Sequence, residues 1–176
     1  MYRPVLETGR LRLYPMSEDQ LARAAFGLNW VVGSFGARIS GRGYGFFEKM
    51  EKRRIYRAKR ALILQSPEAW LLATMWLAVD REKLEMVGEA GFKGLPCDGE
   101  VEIGYSTRKP YRSQGYMTEA VGVMCKYAFE QKAHAVSSVC ALTSPGNVAS
   151  HKVLEKNGFT MDGTRGRLWY WKKENK

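Results

Sequence analysis

The chain has 176 residues, of which 45% are hydrophobic and 26% charged, enough for one compact domain with its own core and too few for two. No run approaches the roughly 20 apolar residues of a membrane helix and the first residues lack the apolar segment of a signal peptide, so a cytoplasmic protein with no membrane partner is expected. A formal charge of +10 attracts nucleotides, nucleic acid or acidic protein surfaces without choosing among them.

In chain order, residues 11–15 alternate like a strand, and Ser17 with Gln20 three positions on makes a capping box that opens a first helix to about Phe26. Residues 33–45 hold five glycines and two serines, the composition of a loop or broken helix. A basic helix follows, carrying Lys49, Lys52, Arg53, Arg54, Arg57, Lys59 and Arg60, and ends near Pro67. Two readings of it stand together: a solvated face with a modest apolar stripe, which is favoured, and a contact for RNA or the ribosome.

Strand patterns take over at residues 70–79, and a polar turn at 80–83 leads into a second strand at 86–92, a hairpin. Residues 101–107 alternate like a half-buried strand. Arg112-Ser113-Gln114-Gly115-Tyr116-Met117 then carries the chain through a glycine into a helix, and unpaired N–H groups at such a start, with the macrodipole, form an anion site. A strand at 136–142 leads to a helix from Asn147 to about Lys156, closed by Gly158. Residues 159–162 and 167–171 form a last hairpin. The result is an α/β (α+β) domain: a mixed sheet covered by helices, with the phosphate turn at the carboxyl end of a strand. Neither a Walker pattern with its lysine nor a three-glycine dinucleotide pattern occurs. Cys97, Cys125 and Cys140 lack disulfide or metal-ligand spacing and are expected to be small buried hydrophobes with no metal.

A second motif follows the glycine turn by about thirty residues: Asn147, Ser150, Leu154-Glu155-Lys156 and Gly158-Phe159. Together the two segments resemble the GNAT superfamily of acyl-coenzyme A-dependent N-acetyltransferases. With the opening Leu6-Glu7-Thr8-Gly9-Arg10-Leu11-Arg12-Leu13, they are similar to its ribosomal-protein N-terminal acetyltransferase branch. The resemblance runs from Leu6 to the end and is weakest over residues 28–85. It implies a mostly antiparallel twisted sheet splayed between two central strands, with helices on both faces and the pantetheine arm of acetyl-coenzyme A in the split. The pyrophosphate then lies on Arg112 to Met117. The family has Gly or Ala where this chain has Met117, whose backbone N–H can still serve a phosphate.

By the same resemblance the backbone of Tyr105, Ser106 and Thr107 pairs with the pantetheine amides and polarises the thioester carbonyl, and Asn147 bonds the arm from the other side. Taken alone, Gly115 also reads as close packing and Asn147 as a helix cap. Direct attack by an amine through a tetrahedral intermediate needs a proton acceptor and a donor to the thiolate. Glu102, on the central strand, is the candidate acceptor if it faces the cleft, and a solvent-facing glutamate is the equal alternative. Ser150, one turn after Asn147, is the candidate donor or an ordinary helix serine. The glutamate and tyrosine pair of some family members is replaced by Leu142 and Leu154. His134 and His151 are expected in surface or packing roles. The function expected is acetyl transfer to a protein N-terminal α-amine or small amine, by a monomer or homodimer, because an α-amine is partly neutral at physiological pH and lysine is not. The rival is a binding protein on the same scaffold that touches RNA or the ribosome.

Overall fold

The computed structural model describes residues 4–41 and 44–175. Strands β1 (Leu6–Glu7) and β2 (Leu11–Pro15) precede three helices, α1 (Glu18–Ala24), α2 (Asn29–Gly33) and α3 (Phe46–Gln65). Ser17 caps α1 as its sequence asks, accepting from Gln20 N while Gln20 Oε1 accepts from Ser17 N. After the short helix α4 (Trp70–Ala73) come β3 (Met75–Asp80), β4 (Glu85–Phe92) and β5 (Glu100–Thr107). Helix α5 (Tyr116–Phe129), β6 (Ser138–Thr143), α6 (Val148–Lys156), β7 (Thr160–Arg165) and β8 (Leu168–Glu174) complete the chain.

The eight strands form one sheet in the order β1-β2-β3-β4-β5-β6-β8-β7. Only β5 and β6 run parallel, and they pair over three positions, from Glu100↔Ser138 to Glu102↔Cys140. Beyond Glu102, β5 pairs with β4 alone and β6 with β8 alone, so the sheet splits into a wedge. Every residue of β3 is buried, as a strand covered on both faces must be. Trp76 and Ala78 join the core under α5, whereas Met75 and Leu77 join the core under α1, α2 and α3.

Strand β4 carries a bulge that decides the chemistry of the site. Val79 faces Met86 but Ala78 faces Gly88, which leaves Val87 as the extra residue. Strict alternation would put Glu89 on the face opposite Met86, and one inserted residue reverses that parity. Ala90 and Phe92 therefore enter the α5 core, while Glu89 turns to the α3 face and meets Lys52 and Tyr56.

Two expectations are corrected. Residues 70–73 are helical, not strand: Trp70-Leu71-Leu72-Ala73 is an apolar run too short for periodicity to assign, and its turn is closed by a bond from Thr74 N to Trp70 O. Cys97 is exposed, while Cys125 and Cys140 are buried.

Candidate active site

The turn between β5 and α5 is built to leave backbone donors open. Ser113 and Gly115 both take left-handed φ, 60° and 79°, and α5 has no side-chain cap. The first bond across its start runs from Glu119 N to Gly115 O, so the N–H groups of Tyr116, Met117 and Thr118 have no intrahelical acceptor. Successive N–H groups in such a turn make a concave anion nest. The turn is braced from outside by Arg10, whose guanidinium donates to Gln114 O at 3.0 Å and pairs with Glu119 at 2.5 Å. Burial works against the Glu119 carboxylate, yet Thr8 and Arg10 hold it below its ordinary range.

Met117, where the family has Gly or Ala, turns its side chain inward and is 3% exposed. A β-carbon on Gly88 would come within 2.8 Å of the Met117 methyl and collide with Ser106 O. The bare glycine at the bulge thus gives the methionine its room. Tyr116 also points inward, donating to Asp80 Oδ2 at 2.6 Å, so both residues offer the turn only their backbone.

Two clefts meet at the wedge. The first, about 630 Å³, is lined by Tyr105, Ser106, Thr107, Arg112, Ser113, Gly115, Tyr116, Met117, Asn147 and Ser150, with Lys152 and Lys156 on its α6 wall. Neither lysine stands out in the sequence, since an i,i+4 pair of lysines reads as a solvated helix face. The second, about 410 Å³, lies under α3, shares Tyr105, Ser106, Thr107, Arg112, Asn147 and Ser150 with the first, and adds Lys52, Lys59, Tyr44 and Glu89. Ten of the twelve anticipated residues are thereby brought together. Gln114 is directed away, its side chain donating to Pro110 O at 2.9 Å. Glu102 lies on neither lining: its carboxylate is held by Lys93 Nζ at 2.5 Å.

Three glutamates line the second cleft, Glu48, Glu51 and Glu89, and of these Glu89 is the buried one, 1% exposed. Tyr56 donates to it at 2.7 Å and Lys52 bridges it to the Ser106 hydroxyl. Burial first, then the charge of Glu89, raises the Tyr56 phenol well above its usual range. The signal for Glu89 in the sequence is faint, because its partners lie more than thirty residues upstream. Asn147 caps α6, its Oδ1 accepting from Ser150 N at 3.2 Å, which leaves its amide NH₂ able to face the cleft. Tyr105, raised to about 12 by burial, donates its hydroxyl to Ser150 O at 3.3 Å. His151 is a packing residue, stacked on Trp169 with Nε2 3.1 Å from Thr143 Oγ1.

Residues 10–160 match the model of the acetyltransferase (GNAT) domain. The chain belongs to this family. Among curated relatives, the N-acetyltransferase YjdG of Bacillus subtilis is 34% identical over 97 residues, 54% of this chain and 56% of that protein. The probable N-acetyltransferase YjcK of the same organism is 44% identical over 62 residues, 35% of this chain and 33% of that protein. The chain thus spans about half or less of the length of these relatives. YoaA, also from Bacillus subtilis and described as an N-acetyltransferase, is 28% identical over 95% of this chain and 89% of its own length. Among solved structures, the ribosomal-protein-S5-alanine acetyltransferase from Vibrio fischeri superposes with a TM-score of 0.67 at 20% identity, over 98% of this chain and 97% of that one. RimL, a ribosomal L7/L12 alpha-N-protein acetyltransferase in complex with coenzyme A, gives 0.67 at 16% identity, over 97% and 98%. These two likenesses establish the GNAT fold. Among the described residues no helix is long and apolar enough to cross a membrane.

The residues present fit the coenzyme of this GNAT domain. An open strand edge suits an extended amide-bearing arm, and the uncapped helix start with flanking lysines suits a pyrophosphate.

The basic helix divides its charges. Lys52 and Lys59 face the cleft, Arg60 pairs with Glu18 and Arg53 covers the Phe26 ring at 5.0 Å. Lys49, Arg54 and Arg57 remain exposed on α3, and it is the match to the acetyltransferase domain that does not favour the RNA or ribosome reading.

Proposed function

We propose that the protein transfers an acetyl group from acetyl-coenzyme A to an amine held in the cleft under α3, either a protein N-terminal α-amine or a small amine. The observation that carries this reading is the continuity of the unpaired β5 edge with the uncapped start of α5, backed across the strand by the buried Glu89. Acetyl-coenzyme A supplies a thioester-activated acetyl group.

Backbone groups of Tyr105, Ser106 and Thr107 bind the arm and aim a donor at the carbonyl oxygen as charge develops on it. One such donor is worth about 3 to 4 kcal/mol of barrier. The N–H groups of residues 113–117, Arg112, Lys152 and Lys156 take the phosphates, and the Asn147 amide steadies the arm. Glu89, rather than Glu102, receives the proton that the attacking amine loses, directly or through one water. Ser150 Oγ donates a hydrogen bond to the departing thiolate, which takes up a proton from solvent to leave as the free thiol, with Tyr105 fixing the helix backbone beside it.

Thiol release from acetyl-coenzyme A in the presence of a panel of amines and peptide N-termini tests the reading. Amine-dependent release abolished by Gly115→Asp supports it, and no release from any amine at millimolar cofactor would sink it. Acetylation of lysine side chains without any α-amine would overturn the preference for N-termini.

A further inference from the structure

Five large apolar side chains stand out from the surface beside the cleft under α3. Phe26, Trp30, Phe46, Phe47 and Met50 are between 54% and 84% exposed, and they form one band. Phe46 meets the Phe47 ring edge-on at 5.7 Å, Met50 follows Phe46 by one turn of α3, and Arg53, on the next turn, covers Phe26 at 5.0 Å. Arg23, three residues before Phe26, covers Trp30 at 4.4 Å. Apolar residues scattered singly over a surface need no explanation, but aromatic rings gathered with methionine and arginine have the composition of an interface core.

The band reaches the cleft. On α3, Phe47, Met50 and Arg54 stand at i, i+3 and i+7, a single stripe. Glu51, one turn after Phe47, lines the cleft that holds Glu89 and Ser106. A chain that leaves the cleft over this edge of α3 meets Phe47 and then Met50 and Arg54.

Charge decides what covers the band. Arg60 is taken by Glu18 and Arg23 by Asp19, whereas the exposed Lys49, Arg53, Arg54 and Arg57 have no carboxylate partner among the described residues. A second copy of the chain is a poor occupant, because a two-fold interface sets a patch against itself and would place cations on cations. Single-stranded RNA stacks its bases on open ring faces, and Phe26 and Trp30 each have one face taken by a guanidinium. A polypeptide with aliphatic and acidic side chains satisfies the rings and the cations together. Resting on the transfer reading above, we infer that the acceptor is a protein, whose N-terminal α-amine enters the cleft while an acidic, partly apolar segment behind it lies across Phe47, Met50 and Arg54 toward Phe26.

Thiol release is measured with a short peptide and with the same peptide extended at its C-terminus by a segment of glutamate and leucine, or of lysine and leucine. The acidic extension should lower KM by about tenfold, the effect of one good interface anchor, with kcat unchanged. Phe47→Ser should erase this gain and Arg54→Glu should shift it toward the basic extension, while both variants turn over the short peptide as the parent protein does. Equal KM for short and extended peptides, a gain that ignores the sign of the extension, or a gain that both variants keep overturns the proposal. Single-stranded oligouridine that binds the parent protein but not Phe47→Ser, with no gain from the acidic extension, overturns it in favour of nucleic acid. Calorimetric binding of the acidic peptide that Phe47→Ser abolishes, with no thiol released from any amine, would defeat the transfer reading and support the docking surface.

Discussion

Glu89 gathers more of the site than any other side chain, and removing its charge without its shape is the sharpest probe. Glu89→Gln should lower turnover by about 10² to 10⁴-fold, the usual contribution of a positioned base, while calorimetry finds coenzyme affinity little changed. Ser150→Ala should reduce kcat with similar coenzyme binding, and unchanged turnover would return Ser150 to an ordinary helix-face role. Lys59 has an opposite effect on stability. Its pKa falls from the usual 10.5 to about 8 in the folded chain, so the unfolded chain binds more protons between those values. Stability due to this group rises as pH climbs from about 8 to 10.5 and is at its lowest below 8. Lys59→Met should therefore stabilise the protein at pH 7 by up to about 3 kcal/mol, with the gain shrinking above pH 8 in denaturant titrations. The sequence could not single out either residue. Lys59 is one of seven cations on a helix, and the burial of Glu89 depends on a bulge no local pattern announces.

In the proposed function the turn before α5 combines two requirements on one glycine, a φ of 79° and an approach by phosphate. Gly115→Asp strains the first and repels the second, so coenzyme should produce no thermal shift in that variant. Arg10 touches no ligand in this scheme but ties the turn to α5 through Gln114 O and Glu119. Arg10→Ala should weaken coenzyme binding while leaving the kcat of the saturated enzyme near its original value. Elements with strong local signals are legible in the residues themselves: the Ser17 capping box, the glycine turn and the Asn147 cap all lie where their side chains and spacing demand. Helix α4 is not, since Trp70 and Leu71 suit a buried strand as well as a turn of helix. Glu102 lies on the strand its alternation indicates, but its partner Lys93 comes from the loop after β4, and this pairing follows only from the register of β4 against β5.

At the scale of the molecule, acetyl-coenzyme A at 100 times its dissociation constant should add about 2.7 kcal/mol of stability. Because the protein carries +10 and coenzyme A is polyanionic, added salt should weaken that gain. The ordering of strands is only partly legible in the sequence. The splay follows from the family resemblance, but the return of β8 between β6 and β7 depends on pairing over long sequence separations.

The three-pair junction of β5 with β6 also sets a pattern of solvent exchange. Amides of β5 that face β4 are locked in its ladder, whereas those that face the split beyond Glu102 can trade their protons for deuterium without any unfolding. One strand should therefore carry slow and fast amides side by side, and a ligand lying along its open edge should slow the fast set alone.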